Sequence, residues 1–125
     1  YVKRRHEIAN YYNFYLKDLP LICPYQDLSC FSSFHLYIVR IDLDKVTPLT
    51  HRVIFDLLRN EGILVNLHYI PVYLQPYYQK MGFQKGDFPN SEKYYSTALS
   101  LPIYPTMSQN QQDQVVNIIK KLIRK

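Results

Sequence analysis

Apolar positions along the chain recur with two different periods, and each change of period marks a new element. In the first segment, Val2 to Leu16, the residues Ile8, Tyr11, Tyr12, Tyr15 and Leu16 fall at i, i+3, i+4, i+7 and i+8, one face of a helix. Asp18-Leu19-Pro20 ends it, because proline cannot continue the backbone hydrogen bonding. Phe34 to Ile41 is a run of aromatic and β-branched residues without Gly or Pro, which predicts a strand. Both of its faces are largely apolar, so it is placed at the centre of a sheet and covered by helices. Thr47-Pro48 predicts an N-cap with proline at the first helical position. That helix runs to about Asn60, buries Ile54, Leu57 and Leu58, and uses Gly62 as its left-handed C-terminal residue.

Ile63 to Leu67 predicts a second strand. Pro71 and Pro76 restrict the next stretch to a short helix within Leu74 to Lys80, and Gly82 to Gly86 forms a loop. Asn90, with Ser91 as a rival cap, opens a short helix through about Thr97. Leu99 to Leu101 is a third strand, stopped by Pro102. Ser108 with Gln111 has the spacing of a capping box, and the helix after it buries Val115, Ile119, Leu122 and Ile123. The whole pattern predicts one α+β domain over residues 1–125: a short sheet of about three strands packed with helices. Tyr1 begins what reads as the middle of a helix, so a piece of a longer polypeptide is expected.

Composition narrows the function more than the fold. No apolar run nears the roughly 18 residues of a membrane span, no signal-peptide pattern is visible, and a cytoplasmic protein is expected. Cys23 and Cys30 share one loop and make neither a disulfide framework nor a zinc site; they read as buried or idle thiols. The net charge is +5, with basic clusters only at Lys3-Arg4-Arg5, Lys120-Lys121 and Arg124-Lys125. A nucleic-acid face needs basic and aromatic residues on one continuous surface, and these residues are dispersed. The 13 tyrosines, with no tryptophan, suit half-buried surfaces such as domain interfaces, subunit contacts or a polar pocket.

The side chains that carry chemistry form no complete catalytic set. His68-Tyr69 follows a strand end and opens a loop stiffened by Pro71, where side chains are held at an edge that can reach a cleft. A histidine bonded within its own domain is the competing reading. His35 is expected in a core or interface, and His6 and His51 in solvent. No His-Glu-x-x-His spacing, nucleophile elbow or glycine-rich phosphate loop is present. The carboxylates Asp42, Asp44, Asp87 and Glu92 read as solvated turn residues.

Gly62-Ile-Leu-Val-Asn-Leu-His-Tyr-Ile-Pro-Val-Tyr-Leu-Gln-Pro-Tyr-Tyr78 closely resembles the C-terminal domain of the DegT/DnrJ/EryC1/StrS sugar aminotransferases. Arg4 to Leu16, Ser33 to Arg40, Phe88 to Glu92, Leu99 to Pro105 and Gln109 to Leu122 resemble further motifs of that family, in its order. Gly82 to Pro89, with Gln75-Pro-Tyr-Tyr78, is most similar to the branch that makes UDP-4-amino-4,6-dideoxy-N-acetyl-β-L-altrosamine in pseudaminic acid biosynthesis. Tyr73 departs from many relatives, which carry His there.

The resemblance implies the small C-terminal domain of a fold-type I transferase that uses pyridoxal 5'-phosphate, works as a homodimer, and moves an amino group from glutamate to a 4-keto-6-deoxy UDP-sugar. Its Schiff-base lysine and the acid facing the pyridine nitrogen would belong to a large N-terminal domain outside this chain. No catalytic or cofactor-binding residue is therefore expected here, and the isolated chain is expected to be inactive. The domain would close one side of the cleft, with His68 and Tyr69 facing the nucleotide-sugar, Pro71 fixing the loop, and Tyr77 and Tyr78 packing below it or touching substrate. The alternatives are a basic, tyrosine-rich nucleic-acid-binding module and a non-catalytic interaction module; no nucleic acid or membrane partner is expected from the resemblance.

Overall fold

A computed structural model describes residues 1–123, so the Arg124-Lys125 cluster lies outside the described residues. Five α-helices and four short strands follow one another: α1 (Val2–Leu16), β1 (Leu21–Ile22), β2 (Tyr37–Ile41), α2 (His51–Asn60), β3 (Asn66–Leu67), α3 (Pro76–Gln79), α4 (Pro89–Tyr95), β4 (Ala98–Leu101) and α5 (Gln109–Ile123). The strands form one sheet in the order β1-β2-β4-β3, every neighbour antiparallel. The α+β class stands, with four strands among the described residues in place of about three.

β2 is central, paired with β1 on one side and β4 on the other. Its alternation is regular: Tyr37, Val39 and Ile41 are buried, while Ile38 and Arg40 are half-buried. The buried set meets Leu99 and Leu101 of β4, Ile54 and Leu58 of α2, and Ile119 and Ile123 of α5 in one core. α1 adds Ile8, Ala9, Tyr12 and Leu16 to that core. Polar ties run from α1 to the last fifth of the chain. The Tyr12 hydroxyl donates to the Pro102 carbonyl at 2.9 Å, Arg4 donates to the Met107 carbonyl at 2.9 Å, and the Tyr11 hydroxyl donates to Asp113.

Helix ends follow local chemistry. Gly62 has φ +81°, and its N–H reaches the Arg59 carbonyl while the Ile63 N–H reaches that of Leu58. That double bond is a Schellman closure, and it needs the left-handed residue glycine supplies. At α5, the Ser108 N–H bonds Gln111 Oε1 at 2.9 Å and the Gln111 N–H bonds Ser108 Oγ at 3.3 Å, completing the capping box.

Several expectations are corrected. α2 begins at His51, because Thr50 and not Thr47 caps it, accepting from the Val53 N–H at 3.3 Å. The Leu49 N–H turns back to the Val46 carbonyl, so Thr47-Pro48 lies in the preceding turn. Leu57 and Leu122 are half-buried rather than buried. β2 starts at Tyr37, since Phe34 sits at φ +43°, outside extended backbone. β3 spans only Asn66–Leu67 of the expected 63–67. α4 starts at Pro89 with Phe88 before it, displacing both Asn90 and Ser91 as caps. No helix among the described residues is long and apolar enough to cross a membrane.

Candidate functional site

The His68-Tyr69 pair lies just past the end of β3, where the chain leaves the sheet edge. Side chains alternate along a strand, so His68 shares a face with Asn66, and Asn66 pairs with Ser100 of β4. The His68 ring lies over that neighbour, with Nε2 3.0 Å from Ser100 Oγ. Ser100 is a buried polar residue at 6% exposure, and its hydroxyl also reaches the Asn66 carbonyl at 3.4 Å. His68 itself is half-buried. Tyr69 stands out into solvent at 78% exposure, its ring edge-on to the imidazole with centroids 5.4 Å apart.

Pro71 is buried and starts a 3-10 turn over Val72–Leu74, with the Leu74 N–H bonding its carbonyl. This pins the His68-Tyr69 loop at its far end. Tyr78 belongs to a neighbouring aromatic group. Its ring meets Tyr77 at 5.2 Å and Phe83 at 6.4 Å, and it lines a shallow apolar depression with Val72, Tyr73, Phe83 and Phe88. The structure thus brings His68 and Tyr69 together and gives Tyr78 separate surroundings.

Tyr73 turns inward. Its ring packs edge-on against Phe88 at 4.8 Å, and its hydroxyl donates to Glu92 Oε1. The same carboxylate oxygen accepts from the Gly86 N–H at 2.5 Å. Glu92 is therefore a tie between three segments and not a solvated turn residue. Its carboxyl is held below the usual range by the Tyr73 hydroxyl and then the Gly86 N–H, while loss of solvent and the same bond push the Tyr73 phenol up to about 12. Asp42 and Asp87 are also engaged, Asp42 with Lys45 at 2.9 Å and Asp87 with the Gln84 N–H at 2.8 Å.

The other histidines are structural. His6 Nε2 lies 2.7 Å from the Ser32 carbonyl, and its ring stacks on Phe31 at 4.3 Å. His51 Nε2 lies 3.0 Å from the Ala98 carbonyl, and burial lowers its pKa. A carbonyl only accepts, so both nitrogens carry their proton. Neither ring is the solvated side chain its helical position suggested. His35 is the reverse case: it is exposed, because Phe34 takes the inward place. Both cysteines are free thiols; Cys23 is half-buried, which raises its pKa, and Cys30 is exposed. Among the described residues no cluster of three or more His, Cys, Asp or Glu side chains could hold a metal ion.

These residues do not fit pyridoxal phosphate on their own. The group needs a lysine amine in a cleft, an acid for the pyridine nitrogen and a cradle of N–H groups for the phosphate. Every described lysine is exposed except Lys120, which is half-buried with its ammonium 5.0 Å from the Tyr15 ring centre. Gly62, Gly82 and Gly86 occupy separate turns open to solvent. What the region offers is an imidazole and a phenol at a sheet edge, on a loop fixed by a proline. Ser100 is the neighbour of His68 that sequence reasoning missed, because a serine in a strand gives no signal of its cross-strand partner.

A model of the DegT/DnrJ/EryC1/StrS aminotransferase family matches residues 1–120. The chain is 37% identical over 125 residues to the spore coat polysaccharide biosynthesis protein SpsC of Bacillus subtilis, covering 98% of this chain and 32% of that protein. Among solved structures it is similar to Helicobacter pylori PseC, an aminotransferase involved in the biosynthesis of pseudoaminic acid (26% identity, TM-score 0.85, 98% of this chain and 32% of that one). It also shares its fold with Spr1654 of Streptococcus pneumoniae in its PLP form (23% identity, TM-score 0.85, 97% and 31%). The chain therefore spans about a third of the length of the relatives it matches.

Proposed function

This chain belongs to the DegT/DnrJ/EryC1/StrS aminotransferase family, and from that premise we propose that it is the small C-terminal domain of a sugar aminotransferase, forming one wall of the active-site cleft. The observation that carries this reading is an imidazole held at a sheet edge with a phenol beside it, and no lysine suited to the cofactor among the described residues. When bound, pyridoxal phosphate would supply the amino-group chemistry, and it would be held by a large domain outside these residues. Membership of the aminotransferase family supports that cofactor.

In this reading His68 and Tyr69 contact the nucleotide-sugar, and Pro71 holds their loop. Tyr78 stiffens the wall from the side or reaches substrate from its depression. The amino donor is glutamate, the acceptor a 4-keto-6-deoxy UDP-sugar, and the full-length protein a cytoplasmic homodimer. Similarity to PseC, together with the Gly82 to Pro89 and Gln75 to Tyr78 motifs, favours the altrosamine branch.

The test is steady-state kinetics of the full-length protein with the nucleotide-sugar. His68→Ala is expected to lower kcat/KM by about tenfold or more, the worth of one lost substrate hydrogen bond. Unchanged KM and kcat would remove His68 from the site.

A further inference from the structure

The contacts around Ser100 fix more than the place of the His68 ring. A serine hydroxyl has one proton to donate and lone pairs to accept with. Two groups approach Ser100 Oγ: the Asn66 carbonyl at 3.4 Å and His68 Nε2 at 3.0 Å. The carbonyl can only accept. If the hydroxyl proton went to His68 Nε2, the carbonyl contact would be lost. If it goes to the carbonyl, the hydroxyl oxygen is free to accept from His68 Nε2–H, and both contacts are made. At 6% exposure Ser100 has little access to water, so the arrangement that satisfies both contacts is favoured.

We propose that Ser100 is a positioning residue that holds His68 as its Nε2–H tautomer and leaves the Nδ1 lone pair as the acceptor offered to a ligand. The companion nitrogen of a histidine is commonly set by such a partner. The consequence is chemical selectivity. A neutral imidazole offering Nδ1 pairs with a hydroxyl or an N–H, and not with a phosphate or carboxylate oxygen. For the neutral ring, the ligand group that matches this edge is a hydrogen-bond donor, of the kind carried by a sugar hydroxyl or a pyrimidine imide. Tyr69, exposed and edge-on to the ring, flanks the same position. This deepens the function proposed above and rests on it for the identity of the ligand, but the tautomer itself does not.

Two experiments separate these layers. The first is ring-nitrogen NMR on the 125-residue chain labelled with 15N-histidine at neutral pH, with His68 assigned by its loss in His68→Gln. The expected result is a proton on Nε2 that exchanges slowly with water, and a bare Nδ1. Ser100→Ala should speed that exchange by about tenfold or more, the fold-change of one lost hydrogen bond, and Ser100→Thr, which keeps the hydroxyl, should restore slow exchange. A proton on Nδ1 in the unsubstituted chain would overturn the inference without any variant having to fold. Equally slow exchange in Ser100→Ala would overturn it too.

The second experiment is binding of UDP and of UDP-N-acetylglucosamine to the full-length protein and to His68→Gln, whose amide can still donate to Ser100. Weaker binding of both probes by His68→Gln places the donor on the nucleoside, and weaker binding of the sugar nucleotide alone places it on the hexose. Equal affinity for both probes would overturn the outward acceptor and the substrate role of His68, while a slow Nε2 proton in the first experiment would still stand.

Discussion

Two regions of the chain are held together by different physics. The sheet with α1, α2 and α5 is a continuous apolar core in which Ile8, Tyr12, Leu16, Tyr37 and Leu99 lose all contact with solvent. The excursion between β3 and β4 carries α3 and α4, and from Leu74 to Thr97 not one side chain is buried. What orders the excursion is a set of edge-on aromatic contacts and the carboxylate of Glu92, shared by Tyr73 and the Gly86 N–H. Stability thus resides in one region, and the candidate site sits where that region gives way to the other. Sites that must meet a ligand are commonly drawn from such low-stability segments, supported at one end by a rigid frame.

The sharpest way to break this contrast is to empty the core. Leu99→Ala should cost about 2–5 kcal/mol, the range for a fully buried leucine, read as a lower urea midpoint at unchanged slope. A loss under about 1 kcal/mol would mean the core is looser than its burial implies. Tyr12→Phe should cost about 1 kcal/mol, since it deletes the hydrogen bond to the Pro102 carbonyl and the weaker contact with Met107 Sδ.

On the other side of the comparison, Glu92→Ala should leave the urea midpoint nearly unchanged while amide hydrogen exchange across residues 82–92 speeds up several-fold. Faster exchange in β4 or α5 as well would show that the two regions unfold as one.

A smaller effect concerns pH. Burial lowers the His51 pKa in the folded chain, so the unfolded chain takes up the proton first. The contribution of neutral His51 is present above about pH 6.5 and is lost as the pH falls towards the lowered folded value. The urea midpoint should fall between about pH 7.5 and 5.5, and His51→Gln should remove part of that fall. The smallest effect is expected at the ion pair between Lys121 and Glu61, 2.8 Å apart on the surface, where Glu61→Gln should shift stability by no more than about 0.5 kcal/mol.

Much of the frame was legible because it depends on local rules. The Gly62 closure and the Ser108–Gln111 box both arise from spacing within a few residues, whereas on α1 the spacing found Ile8, Tyr12 and Leu16 but included Tyr15, which is exposed, and passed over the buried Ala9. β1 escaped because it is a two-residue strand, Leu21–Ile22, whose only reason for being a strand is that β2 lies beside it. The inward places of His6 and His51 escaped for the same reason, since their partners Ser32 and Ala98 lie 26 and 47 residues away. His68 and Tyr69 could be singled out from the strand end and Pro71, whereas the role of Ser100 needed the β3–β4 register. Glu92 was misread because a carboxylate on an exposed helix gives no hint that Tyr73 and Gly86 converge on it.

The order of the strands bears on how the chain is made. β4, formed by residues 98–101, lies between β2 and β3, so a nascent polypeptide released only as far as Thr97 has no central strand to join them. Its first helix would likewise be waiting for Pro102, Met107 and Asp113. The link between β2 and β3 and the seating of α1 thus depend on residues 98–113, and a stop codon before Ala98 would remove the strand that joins the sheet together with the partners of the first helix.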